Sequence, residues 1–240
     1  VGHNPEGTGA IVSIDIIARP SPNHDSRGDR AIDMIVMHYT GMKTAAEAID
    51  RLCDPAARVS AHYVLDEDGT LYQLVPEALR AWHAGVSHWA GESGLNACSI
   101  GIEIVNPGHE FGYRDFPEAQ IARLEELARL IMARHNIPAR RIVGHSDIAP
   151  ARKTDPGEKF PWARLARSGI GIWPDSTFAG QPDRPENLLA RIGYGVPPQV
   201  DVPLETVITA FQRRFRPARL DGVWDAECGR LAASLAAQIT

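Results

Sequence analysis

Ile32-Asp33-Met34-Ile35-Val36-Met37-His38 is an apolar run, broken only by Asp33, that stops on a histidine. Short runs rich in Ile and Val read as buried strands. A second run, Arg141-Ile142-Val143-Gly144, is likewise followed at once by a histidine, His145. A third, Ser99-Ile100-Gly101-Ile102-Glu103-Ile104-Val105, alternates. Successive strand side chains point to opposite faces, so Glu103 shares a side with Gly101 and Ser99 while Ile100, Ile102 and Ile104 face the other way. A carboxylate is thereby aimed off a sheet, and two imidazoles sit where strands end, which is where a scaffold holds ligands in fixed geometry.

Lys153-Thr154-Asp155-Pro156-Gly157 adds a carboxylate and an ammonium. Catalytic zinc usually keeps three protein ligands and one open position, and two His plus one carboxylate is a recurring set. His38, His145 and Asp155 are the predicted ligands of one Zn2+. In a chain with nine His, that spacing is not specific by itself. The surrounding motifs make it so: Met37-His38-Tyr39-Thr40, Val59-Ser60-Ala61-His62-Tyr63, Ala81-Trp82-His83-Ala84-Gly85, Ser99-Ile100-Gly101-Ile102-Glu103, Gly144-His145-Ser146-Asp147-Ile148-Ala149-Pro150 and Lys153-Thr154-Asp155-Pro156-Gly157. In this order they resemble the zinc-dependent N-acetylmuramoyl-L-alanine amidases that share a fold with phage T7 lysozyme and the peptidoglycan recognition proteins. The resemblance runs from about Ile32 to Asp175.

That resemblance implies an α/β fold, a mixed central β-sheet flanked by helices with the metal in a groove at one side. It also implies hydrolysis of the amide between N-acetylmuramic acid, or its 1,6-anhydro form, and L-alanine, with peptidoglycan or muropeptides as the partner. The chemistry has the groups it needs. An amide is a poor electrophile, so zinc is expected to lower the pKa of water and polarise the carbonyl. Glu103 is expected to take the water proton and pass it to the leaving amine. Lys153 is expected to face the developing oxyanion. His62 and His83 are expected to line the groove or to pack behind it. Arg80 and Arg152 are candidate clamps for stem-peptide carboxylates. Asp147 reads as the side chain that stabilises a turn after Gly144, and His3, His24, His88, His109 and His135 read as surface residues.

The rest of the chain bounds the picture. A net charge of −5 without a Lys/Arg-rich stretch argues against nucleic acid as a partner. Cys53, Cys98 and Cys228 cannot form a disulfide framework and lack metal spacing, so all three are read as thiols. No run is long enough to span a bilayer as a helix. The first residues lack a basic segment followed by an apolar one. The compartment is therefore periplasm or cell envelope if a leader has been removed, and cytoplasm otherwise.

At 240 residues, a medium domain plus a small one is the natural division. Residues 1–175 are assigned to the zinc domain, with 1–30 an irregular lead-in containing the β-prone stretch Ala10–Ile17. Within it, Thr44-Ala45-Ala46-Glu47 reads as a capping box, Asp66-Glu67-Asp68-Gly69 as a hairpin turn, and Asp115-Phe116-Pro117-Glu118 as the start of a long helix through His135. Polar, Gly/Pro-rich residues 176–184 are assigned as a linker. Residues 185–240, with helical patterns at Glu186–Ile192, Leu204–Phe215 and Ala226–Ala237, resemble the small three-helix peptidoglycan-binding domain of cell-wall hydrolases. If that module is only a tether, deleting it leaves cleavage of soluble muropeptides intact.

Two other readings remain beside the wall amidase. One is a cytoplasmic amidase that recycles anhydromuropeptides. The other is a non-catalytic peptidoglycan recognition module, which would be expected to lack a ligand that is present here.

Overall fold

The computed structural model describes residues 14–178 and 183–239. The strands are β1 (Ile17–Ala18), β2 (His24–Ser26), β3 (Met34–Tyr39), β4 (Tyr63–Leu65), β5 (Leu71–Gln73), β6 (Leu79–Ala81), β7 (His88–Trp89), β8 (Glu92–Ser93), β9 (Ser99–Ile104) and β10 (Ile142–Gly144). The helices are α1 (Ala45–Cys53), α2 (Gly108–Phe111), α3 (Glu118–His135), α4 (His145–Ile148), α5 (Trp162–Arg167), α6 (Pro185–Ile192), α7 (Leu204–Phe215) and α8 (Ala226–Ala237). Six strands make the central sheet in the order β1-β5-β4-β9-β3-β10. It is mixed: only β4 and β5, joined by the hairpin turn, run antiparallel.

The parallel strands β9, β3 and β10 are nearly continuous apolar sequence because both faces of the sheet are covered. On one face, Ile35, Met37, Ile100, Ile102 and Ile104 pack under α3 and α5, meeting Ile121, Leu124, Leu127, Ile131 and Leu165. On the other, Met34, Val36 and Val143 join one apolar cluster with residues of α6, α7 and α8, among them Leu189, Phe211 and Leu235. Farther along that second face, α1 lies over Val64, Leu74 and Val105. Gln120, fully buried on α3, donates to the carbonyls of Leu65 and Val105 at the ends of two neighbouring strands.

Helix α1 starts as its sequence indicates, with the Thr44 hydroxyl accepting from the Glu47 N–H at 3.2 Å. The return half of the box differs, because the Glu47 carboxylate accepts from Lys43 N–H rather than from Thr44. The lead-in is less irregular than its composition suggests. Ile17–Ala18 adds an edge strand to β5, and His24–Ser26 pairs with β6. Edge pairing uses backbone donors and acceptors and leaves little trace in side-chain pattern. Residues 10–13 of the β-prone stretch and 179–182 of the assigned linker lie outside the described residues.

Candidate metal centre and active-site groove

Three parallel strands end at one edge of the sheet. His38 on β3 is in register with Glu103 on β9, and His145 follows the last residue of β10, Gly144, which pairs with Met37. Ligands gather at such carboxyl edges because loops and helix starts leave the sheet there. Asp155 returns from the loop after α4, where its carbonyl accepts from Ser146 N–H at 2.8 Å. The approach is tight: a Cβ on Gly144 would lie 2.8 Å from Pro156 Cδ.

The three ligand atoms are close together. His38 Nδ1 is 2.9 Å from His145 Nδ1 and 3.0 Å from Asp155 Oδ2, and His145 Nδ1 is 3.1 Å from that same oxygen. The surrounding hydrogen bonds fix which ring nitrogens carry protons. His145 Nε2 faces the Ala84 carbonyl at 3.1 Å, and a carbonyl can only accept. Nε2 is therefore the N–H of a neutral His145, and Nδ1 holds its lone pair inward. For His38 the chain is longer. The Ser99 hydroxyl donates to Leu95 O at 2.6 Å, so it accepts from His83 Nε2 at 3.1 Å. That leaves His83 Nδ1 as an acceptor for His38 Nε2–H at 3.0 Å, and His38 Nδ1 unprotonated.

Burial supports the neutral form. It pushes the His38 imidazolium pKa down to about 4, and it pushes His83 well below its ordinary value. With those tautomers, two lone pairs and a carboxylate oxygen converge, an arrangement that suits a cation. Ligand atoms about 2.0–2.1 Å from a tetrahedral zinc lie about 3.3–3.4 Å apart. The set fits that ion with a spread of a few tenths of an ångström. His38, His145 and Asp155 can hold a metal.

The groove above the set, about 350 Å3, is lined by all three ligands together with Glu103, Lys153 and Trp82. Glu103 Oε2 is buried without a hydrogen-bond partner. Burial, and then the Asp155 charge, raise the Glu103 carboxyl well above its ordinary range, while Lys153 pulls it back in part.

The remaining sequence candidates separate. His83 lines the groove floor but is only 8% exposed. Its ring packs where a Gly101 Cβ would stand, 2.4 Å from His83 Cγ, so its hydrogen bonds serve His38. His62 is fully buried. Its Nδ1 accepts from Gly101 N–H and its Nε2 lies 3.1 Å from Leu79 O, so it supports the strand beneath the groove and does not line the groove itself. Arg80, on β6, is committed to both carboxylate oxygens of Asp25 and does not line the groove. Arg152 does line it, with Nη2 donating to the carbonyls of Ala84 and Val86. His109 is no isolated surface residue: it stacks on Tyr113, with centroids 4.4 Å apart, and bonds Tyr39 at the groove rim. Sequence spacing gave no sign of that aromatic rim, because Tyr39 ends β3 while His109 and Tyr113 lie some 70 positions on, in and just after α2.

A His-His-carboxylate set at the ends of parallel strands, beside a partnerless carboxylate and an ammonium, defines a metallohydrolase-type centre. The Amidase_2 family, N-acetylmuramoyl-L-alanine amidase, matches residues 28–158, and the chain belongs to it. The N-acetylmuramoyl-L-alanine amidase AmiD of Escherichia coli is 41% identical, over 85% of this chain and 82% of that protein. The 1,6-anhydro-N-acetylmuramyl-L-alanine amidase AmpD of Escherichia coli is 38% identical over 61% of this chain and 87% of its own length. Among solved structures, E. coli AmiD in complex with anhydro-N-acetylmuramic acid-L-Ala-D-γ-Glu-L-Lys superposes with a TM-score of 0.77, at 38% identity over 89% of this chain and 90% of that one. Pseudomonas aeruginosa AmpDh3 in complex with anhydromuramic pentapeptide gives 0.79, at 33% identity over 95% and 99%.

Proposed function

We propose that this protein is a zinc-dependent amidase that hydrolyses the bond between N-acetylmuramic acid, including its 1,6-anhydro form, and the L-alanine of the stem peptide. The observation that carries the reading is the convergence of two imidazole lone pairs and a carboxylate oxygen in the groove that also holds a partnerless Glu103 oxygen. Family membership supports it. So do the anhydromuramyl peptides bound to AmiD and AmpDh3, which are the ligand class proposed for this groove.

His38, His145 and Asp155 would hold the ion, and zinc there supplies Lewis acidity, lowering the pKa of water and polarising an amide carbonyl. The chain's own groups do the rest. Glu103 takes the proton of the attacking water on its unpartnered oxygen and returns it to the nitrogen of the leaving L-alanine. Its raised pKa suits a group that must hold that proton between the two steps. Lys153, two residues before Asp155, faces the oxygen on which negative charge develops. His83 keeps the His38 tautomer, and Arg152 at the groove wall is one cation, beside Arg51, available to a stem-peptide carboxylate.

Two consequences follow for single residues. Lys153→Met is expected to lower kcat by about 10²–10³-fold with a small change in KM, the usual effect of losing one oxyanion donor. An equal rise in KM with kcat intact would make Lys153 a substrate-binding residue instead. His83→Leu is close to His in volume but removes the acceptor of His38 Nε2–H. Zinc affinity, read by chelator competition, is expected to fall about 10–100-fold. Unchanged affinity would mean that His83 does not set the tautomer.

Helices α6 to α8 are proposed to add affinity for the wall. The alignment that extends over most of the chain is with AmiD, whereas AmpD covers 61% of it; a segment with affinity for the wall makes the cell envelope the favoured compartment. Among the described residues no helix is long and apolar enough to cross a membrane. The test of the reaction is cleavage of a defined anhydromuropeptide by zinc-loaded protein, followed by chromatography. Loss of cleavage on chelation and its return with zinc supports the amidase. Stoichiometric zinc with substrate bound and intact favours the recognition module.

A further inference from the structure

Asp147 lies two residues after the ligand His145, inside α4, and its side chain is 1% exposed. One oxygen, Oδ2, accepts from Gly144 N–H at 2.8 Å and so closes the turn on which His145 sits. The same oxygen accepts from Arg214 Nη1 at 2.7 Å, and Oδ1 accepts from the Tyr194 hydroxyl at 2.7 Å. Two of its three donors therefore come from the C-terminal helical segment. Arg214, on α7, is itself buried, its side chain 3% exposed. Its Nη2 donates to Ile142 O on β10 at 3.0 Å, and its guanidinium lies 4.0 Å from the Trp162 ring centroid. Both sides of the turn that carries His145, the strand before it and the helix after it, are thus held by one guanidinium.

Such a pair is costly to desolvate, and removing one partner leaves the other charged and buried. A tether that only holds an enzyme on its substrate needs no buried ion pair with the catalytic domain. We infer that the C-terminal helices are part of the metal centre: Arg214 and Tyr194, acting through Asp147, are positioning residues for His145. The inference rests on the metal set proposed above. It reverses the expectation for a tethered module, because removing the segment from Ser176 onward would strip Asp147 of two donors and weaken metal binding even where no wall is present.

The test compares full-length Arg214→Met, Arg214→Lys, Tyr194→Phe and Phe211→Leu with the parent. Zinc affinity is read by chelator competition, thermal midpoint on the metal-free protein, and kcat and KM on soluble anhydromuropeptide. Phe211 is fully buried in the same helix and its ring lies edge-on to that of Tyr194, but it is not among the donors to Asp147, so Phe211→Leu perturbs the core with both donors in place.

Arg214→Met is expected to weaken zinc about 10–100-fold, in the range of outer-shell changes, and to lower kcat more than it changes KM. Arg214→Lys should recover part of that loss. Tyr194→Phe should weaken zinc by a few-fold. Phe211→Leu should lower the thermal midpoint while zinc affinity stays at the parent value. Parent-like zinc affinity in both Arg214→Met and Tyr194→Phe would overturn the inference, as would an equal loss of affinity in Phe211→Leu. Should Arg214→Met fail to fold, parent-like affinity in Tyr194→Phe alone overturns it. A parent protein that binds no zinc would instead refute the metal reading itself.

Discussion

Asp155→Ala is expected to abolish both metal binding and turnover. The carboxylate is the only anionic member of the set, and its Oδ2 lies 3.0 Å and 3.1 Å from the two ligand nitrogens. Without it, two lone pairs remain with no counter-charge for a divalent ion. A Lewis acid contributes several kcal/mol at the transition state, so at about 1.36 kcal/mol per decade its loss lowers kcat/KM by roughly 10³–10⁴-fold. Zinc affinity should fall by more than the about 10–100-fold typical of outer-shell changes. Stoichiometric zinc in folded Asp155→Ala would remove Asp155 from the ligand set.

Glu103→Gln separates chemistry from metal binding. Gln keeps the shape and lies outside the ligand set, so zinc should bind as in the parent. General acid–base transfer contributes about 10²–10⁴-fold, and kcat should drop by that amount. The pH profile is a second signature. Burial and the Asp155 charge raise the Glu103 carboxyl, so it gains its proton earlier as pH falls. The acid limb of kcat/KM is then expected above the ordinary carboxylate range in the parent and absent from the residual activity of Glu103→Gln. Full activity in that variant would assign the proton transfer to another group.

The sequence was most legible where local pattern and chemistry coincide. Apolar runs ending on His38 and His145 specify strands that deliver two imidazoles to one edge of the sheet, and alternation in Ser99–Val105 places Glu103 on their face. The 3.6-residue spacing of Ile121, Leu124, Leu127, Ala128 and Ile131 marks the stripe that α3 buries on the sheet. Motif order and content carried the metal set further than spacing could.

Legibility ends where partners are far apart in the chain. Asp147 was readable as a turn residue because Gly144 is three positions away. Arg214, which is 67 positions away, leaves no local sign. His83 offers the same lesson. Its motif places it near the site, but only the Ser99 and His38 hydrogen bonds show that its two ring nitrogens are committed within the protein. Arg80 was plausible as a clamp on charge alone, and its pairing with Asp25 across β2 and β6 is a tertiary fact.

The most direct test of the central claim is hydrolysis of a defined anhydromuropeptide in water enriched in heavy oxygen, with the products weighed by mass spectrometry. An amidase acting at the muramoyl bond places one heavy oxygen in the lactyl carboxylate of the sugar fragment and releases an unlabelled peptide that begins with the free amine of L-alanine. Label in a peptide carboxylate, or a sugar fragment that still carries L-alanine, would contradict the assignment of that bond to this groove.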